Sequence, residues 1–230
     1  MLPPMPDARA IFFDMDDTLV DDTGCYQASI EGVCADMGPP FDAVALRAAY
    51  DAVSTTWWPS GDLTPIRLQL WSQALEACAY DVALAPRVVE RYLHHRVQTV
   101  EVLDGAVELL EALRSRYRMA VITNGGGDIQ RLRLARLGLD RYFDAIVAST
   151  DVDAGKPDRR IFDHAAKLVG VPASETWHVG DSLASDVAGA LNAGLQAAVW
   201  YNCTGAECRV KDAQPHHEIA ALSELTQLLI

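Results

Sequence analysis

The chain has few cations, few cysteines and no long apolar run, and each shortage removes a class of function. Lys and Arg total 19 against 32 for Asp and Glu, a net charge of −13. Such a chain repels a polyphosphate backbone and an anionic lipid surface, so neither nucleic acid nor a membrane is an expected partner. The acids are spread along the chain rather than gathered in a tail, as on a solubilising surface. No apolar stretch approaches the ~20 residues of a membrane helix. The start, MLPPMPDARA, lacks the basic-then-apolar pattern of a secretory signal, so a cytoplasmic location is expected. The five cysteines, Cys25, Cys34, Cys78, Cys203 and Cys208, are an odd number and mostly sit in apolar helical patterns, as reduced core thiols do. Cys203 and Cys208 flank Gly205, but no second pair at zinc-site spacing accompanies them.

What remains is a chain of 230 residues, half of them apolar, enough for one substantial core. No internal repeat or low-complexity stretch interrupts it. Residues 10–15, AIFFDM, read as a buried strand that ends at a carboxylate cluster. Four helical stripes follow, separated by breakers such as Gly38-Pro39-Pro40 and Pro59-Ser60-Gly61. The first runs through Ile30, Val33, Cys34 and Met37, and the second through Leu46, Ala49, Tyr50, Val53 and Trp57. The third takes in Leu70, Trp71, Ala74, Leu75 and Cys78, and the fourth begins at Val88 after Pro86. Together they can pack as a small bundle.

After Val102 the rhythm becomes strand alternating with helix. Strands are predicted at 119–123, 145–149, 176–181 and 196–200, with helices at 128–137 and 159–169 between them. Alternation of this kind predicts a Rossmann-like parallel sheet with helices on both faces, class α/β, carrying the four helices as an inserted domain. The expected division is a core of residues 1–20 and 101–230 and a helical cap of residues 21–100.

Parallel sheets carry their chemistry on loops at the carboxyl ends of the strands. Four groups fall there: Asp14-Met15-Asp16-Asp17-Thr18, Thr123-Asn124-Gly125-Gly126-Gly127, Gly155-Lys156-Pro157-Asp158, and Gly180-Asp181-Ser182 running on to Asp186. Charged residues at a buried strand end are normally paired or bind a metal. Two carboxylates two apart can divide labour, one as nucleophile and metal ligand, the other as proton donor and acceptor. The glycine turn after Thr123 offers backbone N–H groups and a hydroxyl to an anion. Singly each group is an ordinary loop; in this order on one sheet edge they form a site.

These four groups resemble, in order and spacing, the motifs of the haloacid dehalogenase-like hydrolases, in a branch similar to N-acylneuraminate-9-phosphatases and pyrimidine 5′-nucleotidases. The resemblance covers essentially the whole chain. It implies a magnesium-dependent phosphomonoester hydrolase acting on a small phosphorylated metabolite, such as a sugar phosphate, a nucleotide or phosphoglycolate. Asp14 would be the nucleophile that becomes an aspartyl phosphate, and Asp16 the acid and base. Thr123 and Asn124 would hold the phosphoryl group together with Lys156, which also neutralises the nucleophile. Mg²⁺ would be held by Asp14, Asp181 and the backbone carbonyl of Asp16, with Asp186 behind them. Asp16 separates the chain from true dehalogenases, whose halide leaves without a proton, and its carboxyl is expected to be raised once the cap closes. A phosphomutase, or a binding or regulatory module that has lost catalysis, are the alternatives; all four expected catalytic and metal residues are present. The implied assembly is a monomer or homodimer.

In the cap, Arg67, His94, His95 and Arg96 are the polar candidates for the crevice, with Trp57 and Trp58 as a possible aromatic wall. Apolar patterning assigns Trp57 to the core and leaves Arg67 and Arg96 solvated. His178 reads as a satisfied core histidine, His216-His217 as a surface pair in a late loop, and Asp151 and Asp153 as solvated loop acids.

Overall fold

All four residues of β1 (Ala10–Phe13) are completely buried, because β1 is flanked by strands on both edges and covered by helices on both faces. The computed structural model describes residues 8–54, 57–207 and 213–229; Cys208 lies outside them. After β1 come β2 (Val20–Asp21) and the helices α1 (Asp22–Met37), α2 (Ala43–Asp51), α3 (Thr64–Ala77) and α4 (Ala85–Gln98). Then follow β3 (Glu101–Val102), α5 (Ala106–Leu113), β4 (Arg118–Thr123), α6 (Gly127–Leu137), β5 (Ala145–Ala148), α7 (Ser149–Val152) and α8 (Arg159–Val169). The last elements are β6 (Thr176–Gly180), α9 (Ala188–Ala193), β7 (Ala197–Tyr201), β8 (His217–Ile219) and α10 (Leu222–Leu229).

Six strands form one parallel sheet in the order β5-β4-β1-β6-β7-β8. Side chains alternate across it with period two. Ile11, Phe13, Val121 and Val179 face a core closed by Leu109 and Leu110 of α5, Leu134 of α6 and Leu225 of α10. Phe12, Ala120, Ile122 and Ala198 face the opposite core, closed by Ile161, Phe162 and Ala165 of α8 and Ala190 of α9. This is the α/β architecture the strand–helix rhythm predicts. Among the described residues no helix is long and apolar enough to cross a membrane.

The four inserted helices have a core of their own. Ile30 and Val33 of α1, Leu46 and Tyr50 of α2, Trp71 and Leu75 of α3 and Val88 of α4 meet in it. Tyr50 stacks on Trp71 with ring centres 4.2 Å apart, and Tyr92 lies 4.9 Å from the same indole. Each side chain of this size contributes about 1.5–3 kcal/mol by leaving water. Asp21 caps α1 by accepting from Gly24 N, Asp42 caps α2 by accepting from Ala45 N, and α3 and α4 each carry a proline in the first turn. The chain enters and leaves this bundle side by side, because β2 and β3 pair antiparallel as a two-residue ribbon.

Three readings of the sequence need correction. The second stripe overran: α2 stops at Asp51, so Trp57 lies beyond its helix, half-buried in the loop before α3. His217 is part of β8, where its ring stacks on Trp177 at 5.3 Å, and His216 accepts a hydrogen bond from Ala198 N. The late-loop reading thus fails for His217, while His216 stays exposed in the bend before β8. Asp151 belongs to α7 rather than to a loop and accepts from Ala148 N and Arg131, and Asp153 accepts from Ser60 N, though both stay exposed as expected.

Candidate active site

β1, β4 and β6 end side by side, so the loops that follow them open on one edge of the sheet. The turn after β1 is tight: Leu19 N and Val20 N both donate to Met15 O. Within it Asp17 takes a left-handed conformation (φ 54°), and its carboxylate accepts from Asp22 N, Thr23 N and the Thr23 hydroxyl. That anchorage fixes Asp14 and Asp16 relative to the first turn of α1.

Asp14 and Lys156 meet at the centre. Lys156 Nζ lies 2.5 Å from Asp14 Oδ1 and 2.7 Å from Asp186 Oδ1, and all three side chains are buried. Asp186 also accepts from His178 Nε2 at 2.9 Å and from Ser182 N at 3.1 Å. His178 is thus a core histidine satisfied at Nε2 only, its buried Nδ1 having no hydrogen-bond partner among the described residues, and burial holds its pKa below the usual imidazole value. The loop that delivers Lys156 is pinned by Asn124, whose Oδ1 accepts from Lys156 N at 2.7 Å and whose Nδ2 donates to Lys156 O at 3.0 Å. Both ends of the Asn124 amide are therefore spent on the lysine loop. Buried Thr123 Oγ1 accepts from Gly125 N and Gln130 Nε2, and among the described residues no acceptor takes its O–H.

The buried charges here shift one another. Burial and Asp186, opposed by Lys156, push the Asp14 carboxyl well above the usual range, with Asp16 and Asp181 adding to the rise. Burial and the negative charges of Asp186 and Asp17 push Asp181 up to about 6. Burial works against charge on Lys156 as well, but Asp14 and Asp186 outweigh it and raise its pKa. Burial likewise opposes charge on Asp186, yet Lys156 and His178 hold its carboxyl low.

Carboxylate oxygens of Asp14, Asp181 and Asp186 lie within 4.8 Å of one another. The donor set is oxygen only, which suits a hard divalent cation such as Mg²⁺ rather than zinc. Asp186 already satisfies Lys156, His178 and Ser182, so Asp14 and Asp181 are the two with capacity to spare. Thr18 Oγ1 accepts from Asp181 N at 3.1 Å and Trp200 Nε1 donates to Asp181 O at 2.8 Å, which holds that residue at the rim.

Asp16 is elsewhere. Its Oδ2 accepts from Gln130 Nε2 at 2.6 Å and its Oδ1 from Arg133 Nη1 at 2.7 Å. Its carboxylate is therefore outside the three-acid cluster. Burial raises its pKa, but the Arg133 and Arg96 charges and the hydrogen bonds from Asp22 and Arg133 outweigh burial and hold it low. The raised carboxyl is the neighbouring Asp22, pushed up to about 6 by burial and by Asp16 itself. The expected rise of Asp16 is thus absent from this arrangement, because two guanidinium groups face it.

Beside Asp16 a cavity of about 310 Å³ opens between the helical insert and the core. Arg67, Arg96 and Trp58 line it, while His94 and His95 do not; His95 lies on Asp36 at 2.7 Å instead. Arg67 is only 7% exposed, not solvated as its pattern suggested, because it reaches across to α6 and forms a two-point pair with Asp128 at 2.6 and 2.8 Å. The Trp58 ring lies 5.4 Å from the Arg67 guanidinium carbon. Arg96 is paired with Asp22 and mostly buried. Trp57 is no core residue of the bundle; it sits against Gly155, where any Cβ would lie 2.6 Å from the Trp57 Cβ. Ser149 completes the contact, donating to Trp58 O at 2.7 Å.

Gln130, Arg133 and Asp22 were not singled out from sequence. A signal existed: Gln130, Arg133, Leu134 and Leu137 share one face of α6, so two polar residues occupy the buried stripe.

The chain matches the model of one protein family, described as haloacid dehalogenase-like hydrolase, over residues 8–194. It is 34% identical to pyrimidine 5′-nucleotidase YjjG of Escherichia coli (strain K12), covering 95% of this chain and 96% of that one. It is 30% identical to N-acylneuraminate-9-phosphatase of Mus musculus, covering 96% and 93%. Among solved structures, the HAD-hydrolase YfnB of Bacillus subtilis, bound to magnesium, superposes with a TM-score of 0.78 at 24% identity, covering 97% and 99%.

Proposed function

The chain belongs to the haloacid dehalogenase-like hydrolases, and from that footing we propose that it is a magnesium-dependent phosphatase of small phosphorylated metabolites. The observation that carries this reading is the buried meeting of Asp14 and Lys156 beside the unspent Thr123 hydroxyl. Asp14 attacks phosphorus in line: its carboxylate oxygen forms the new bond as the bond to the ester oxygen breaks. Thr123 O–H and Lys156 N–H hold the phosphoryl oxygens as charge redistributes. At ~4 Å a phosphate charge and a bare carboxylate repel by about 4 kcal/mol at an effective dielectric of 20, so a lone Asp14 would turn the substrate away. Lys156 offsets part of that repulsion; Asp14 and Asp181, with the Asp16 carbonyl, would hold Mg²⁺, which would supply Lewis-acid charge neutralisation there.

Asp16 gives a proton to the departing alcohol and then takes one from the water that hydrolyses the aspartyl phosphate. As found, Asp16 is held ionised. An arriving phosphate dianion places negative charge beside it and drives its carboxyl upward, toward the form that donates.

Residues 21–100 act in this reading as a cap over the core made of residues 1–20 and 101–230. The cavity beneath it favours a leaving alcohol larger than the two-carbon unit of phosphoglycolate, since ~300 Å³ is already the scale of drug-sized ligands. Trp58 and the two guanidinium groups suit a nucleoside or an acidic sugar, in line with the substrates named for the two relatives. The test is phosphate release from pyrimidine nucleoside 5′-monophosphates and sugar phosphates, with magnesium and with a chelator. Magnesium-dependent release supports the reading, and no release from folded, metal-supplied protein on any ester contradicts it.

A further inference from the structure

Both oxygens of the Asp16 carboxylate are held, one by Gln130 and the other by Arg133. Both partners come from α6, one turn apart, and both are buried: Arg133 is 0% and Gln130 2% exposed. They also hold each other, since Arg133 Nη1 donates to Gln130 Oε1 at 2.6 Å. Gln130 Nε2 reaches Thr123 Oγ1 at 2.9 Å, so one amide spans Asp16 and the hydroxyl at the end of β4. Arg133 Nη2 donates to Asp22 Oδ1 at 2.6 Å, and Asp22 also pairs with Arg96 of α4. Asp22 is the first residue of α1, directly after the β2–β3 ribbon through which the chain enters the insert.

A guanidinium is costly to bury and is kept only where partners compensate it. An apolar side chain on this face of α6 would pack beside Leu134 without that cost. Here the arginine gives one edge to Asp16 and the other to the neck of the insert. Neither a guanidinium nor an amide can exchange protons with a substrate near neutral pH, so the pair acts through Asp16 rather than on the ester.

We propose that Arg133 and Gln130 are positioning residues that fix the Asp16 carboxylate relative to the Thr123 hydroxyl, and that Asp22 couples that position to the helical insert. The proposal rests on the phosphatase reading above. With both oxygens held, the carboxylate cannot rotate freely, and the oxygen that serves the leaving group is presented in one place. Catalytic proton transfer depends on such placement.

The test compares two aryl esters of similar shape. Nitrophenolate leaves readily without a proton, whereas phenolate leaves far better with one. For a reaction through an enzyme-bound phosphoryl intermediate, kcat/KM covers the steps up to alcohol departure, so it isolates the donor's work. In Arg133→Met, kcat/KM for phenyl phosphate is expected to fall about tenfold further than for p-nitrophenyl phosphate. Arg133→Lys, which keeps a cation but loses the two-edged reach, is expected to recover part of that difference. Gln130→Leu leaves the ion pairs intact and carries the same ratio if the methionine variant fails to fold. Equal falls for the two esters in the folded variants, or no fall, overturn the proposal while leaving the phosphatase reading in place. A folded, metal-supplied wild-type protein inactive on these esters and on the nucleotides and sugar phosphates above overturns both.

Discussion

Lys156 Nζ stands 2.5 Å from Asp14 Oδ1 although the two residues are 142 positions apart, and the contact is buried. One charge of each sign is thereby kept out of water at the carboxyl edge of the sheet. Lys156→Met would leave Asp14 and Asp186 without their shared cation. Breaking a buried pair from one side costs about 3–5 kcal/mol. The variant is expected to lose essentially all turnover and to melt well below the wild type, unless magnesium is added to replace part of the missing charge. Calorimetry with and without magnesium checks this.

Magnesium itself should stabilise the wild type. Asp14 and Asp181 are both pushed up by burial and by the charge of Asp186, and a divalent cation relieves that. At a hundredfold excess over its dissociation constant a ligand adds about 2.7 kcal/mol, or roughly 5–10 °C for a chain of this size. Asp181→Asn should lose most of the shift. A wild-type melting temperature indifferent to magnesium and to chelator would count against the metal assignment.

Arg67 and Asp128 join the insert to the core, and that junction carries a pH signature. The Arg67 hydrogen bonds, opposed by partial burial and helped by the Arg67 charge, hold the Asp128 carboxyl below its usual value. A carboxyl lowered in the folded state contributes stability that is present above its unfolded pKa, near ~3.9, and is lost as pH falls through the folded value. The melting-temperature gap between wild type and Asp128→Asn should therefore be full at pH 6 and close below about pH 4. A gap that is constant over that range would contradict the pairing.

At Gly155 the lysine loop passes close against Trp57. A Cβ there would lie 2.6 Å from Trp57 Cβ and 2.9 Å from Asn124 Oδ1. Gly155→Val must displace either the tryptophan or the amide that pins Lys156. Misplacement of that order costs about tenfold to a hundredfold in rate. Expected is a fall in kcat with a modest change in melting temperature; unchanged kinetics would mean the loop yields without consequence.

The parallel strands were legible because strands covered on both faces read as short apolar runs, as in Ala10–Phe13 and Ala197–Tyr201. The acids at their ends were legible because nothing apolar explains them. β8 was not: His217, Glu218 and Ile219 lie at the sheet edge with one neighbour, so no apolar run marks them. Nor was the β2–β3 ribbon, which is two residues long on each side. Arg67 read as solvated, and Arg133 drew no notice, because a helical arginine usually faces water. Only their partners Asp128, Asp16 and Asp22, 61, 117 and 111 positions away, explain their burial.

The account turns on Asp14 as the atom that takes the phosphoryl group. Borohydride reduces an acyl phosphate to the alcohol, so quenching the enzyme during turnover and sequencing the peptide around position 14 reads the claim directly. The expected result is homoserine at position 14, formed only with substrate and magnesium present and absent when chelator replaces the metal. Aspartate recovered unmodified at position 14 during active turnover would contradict it.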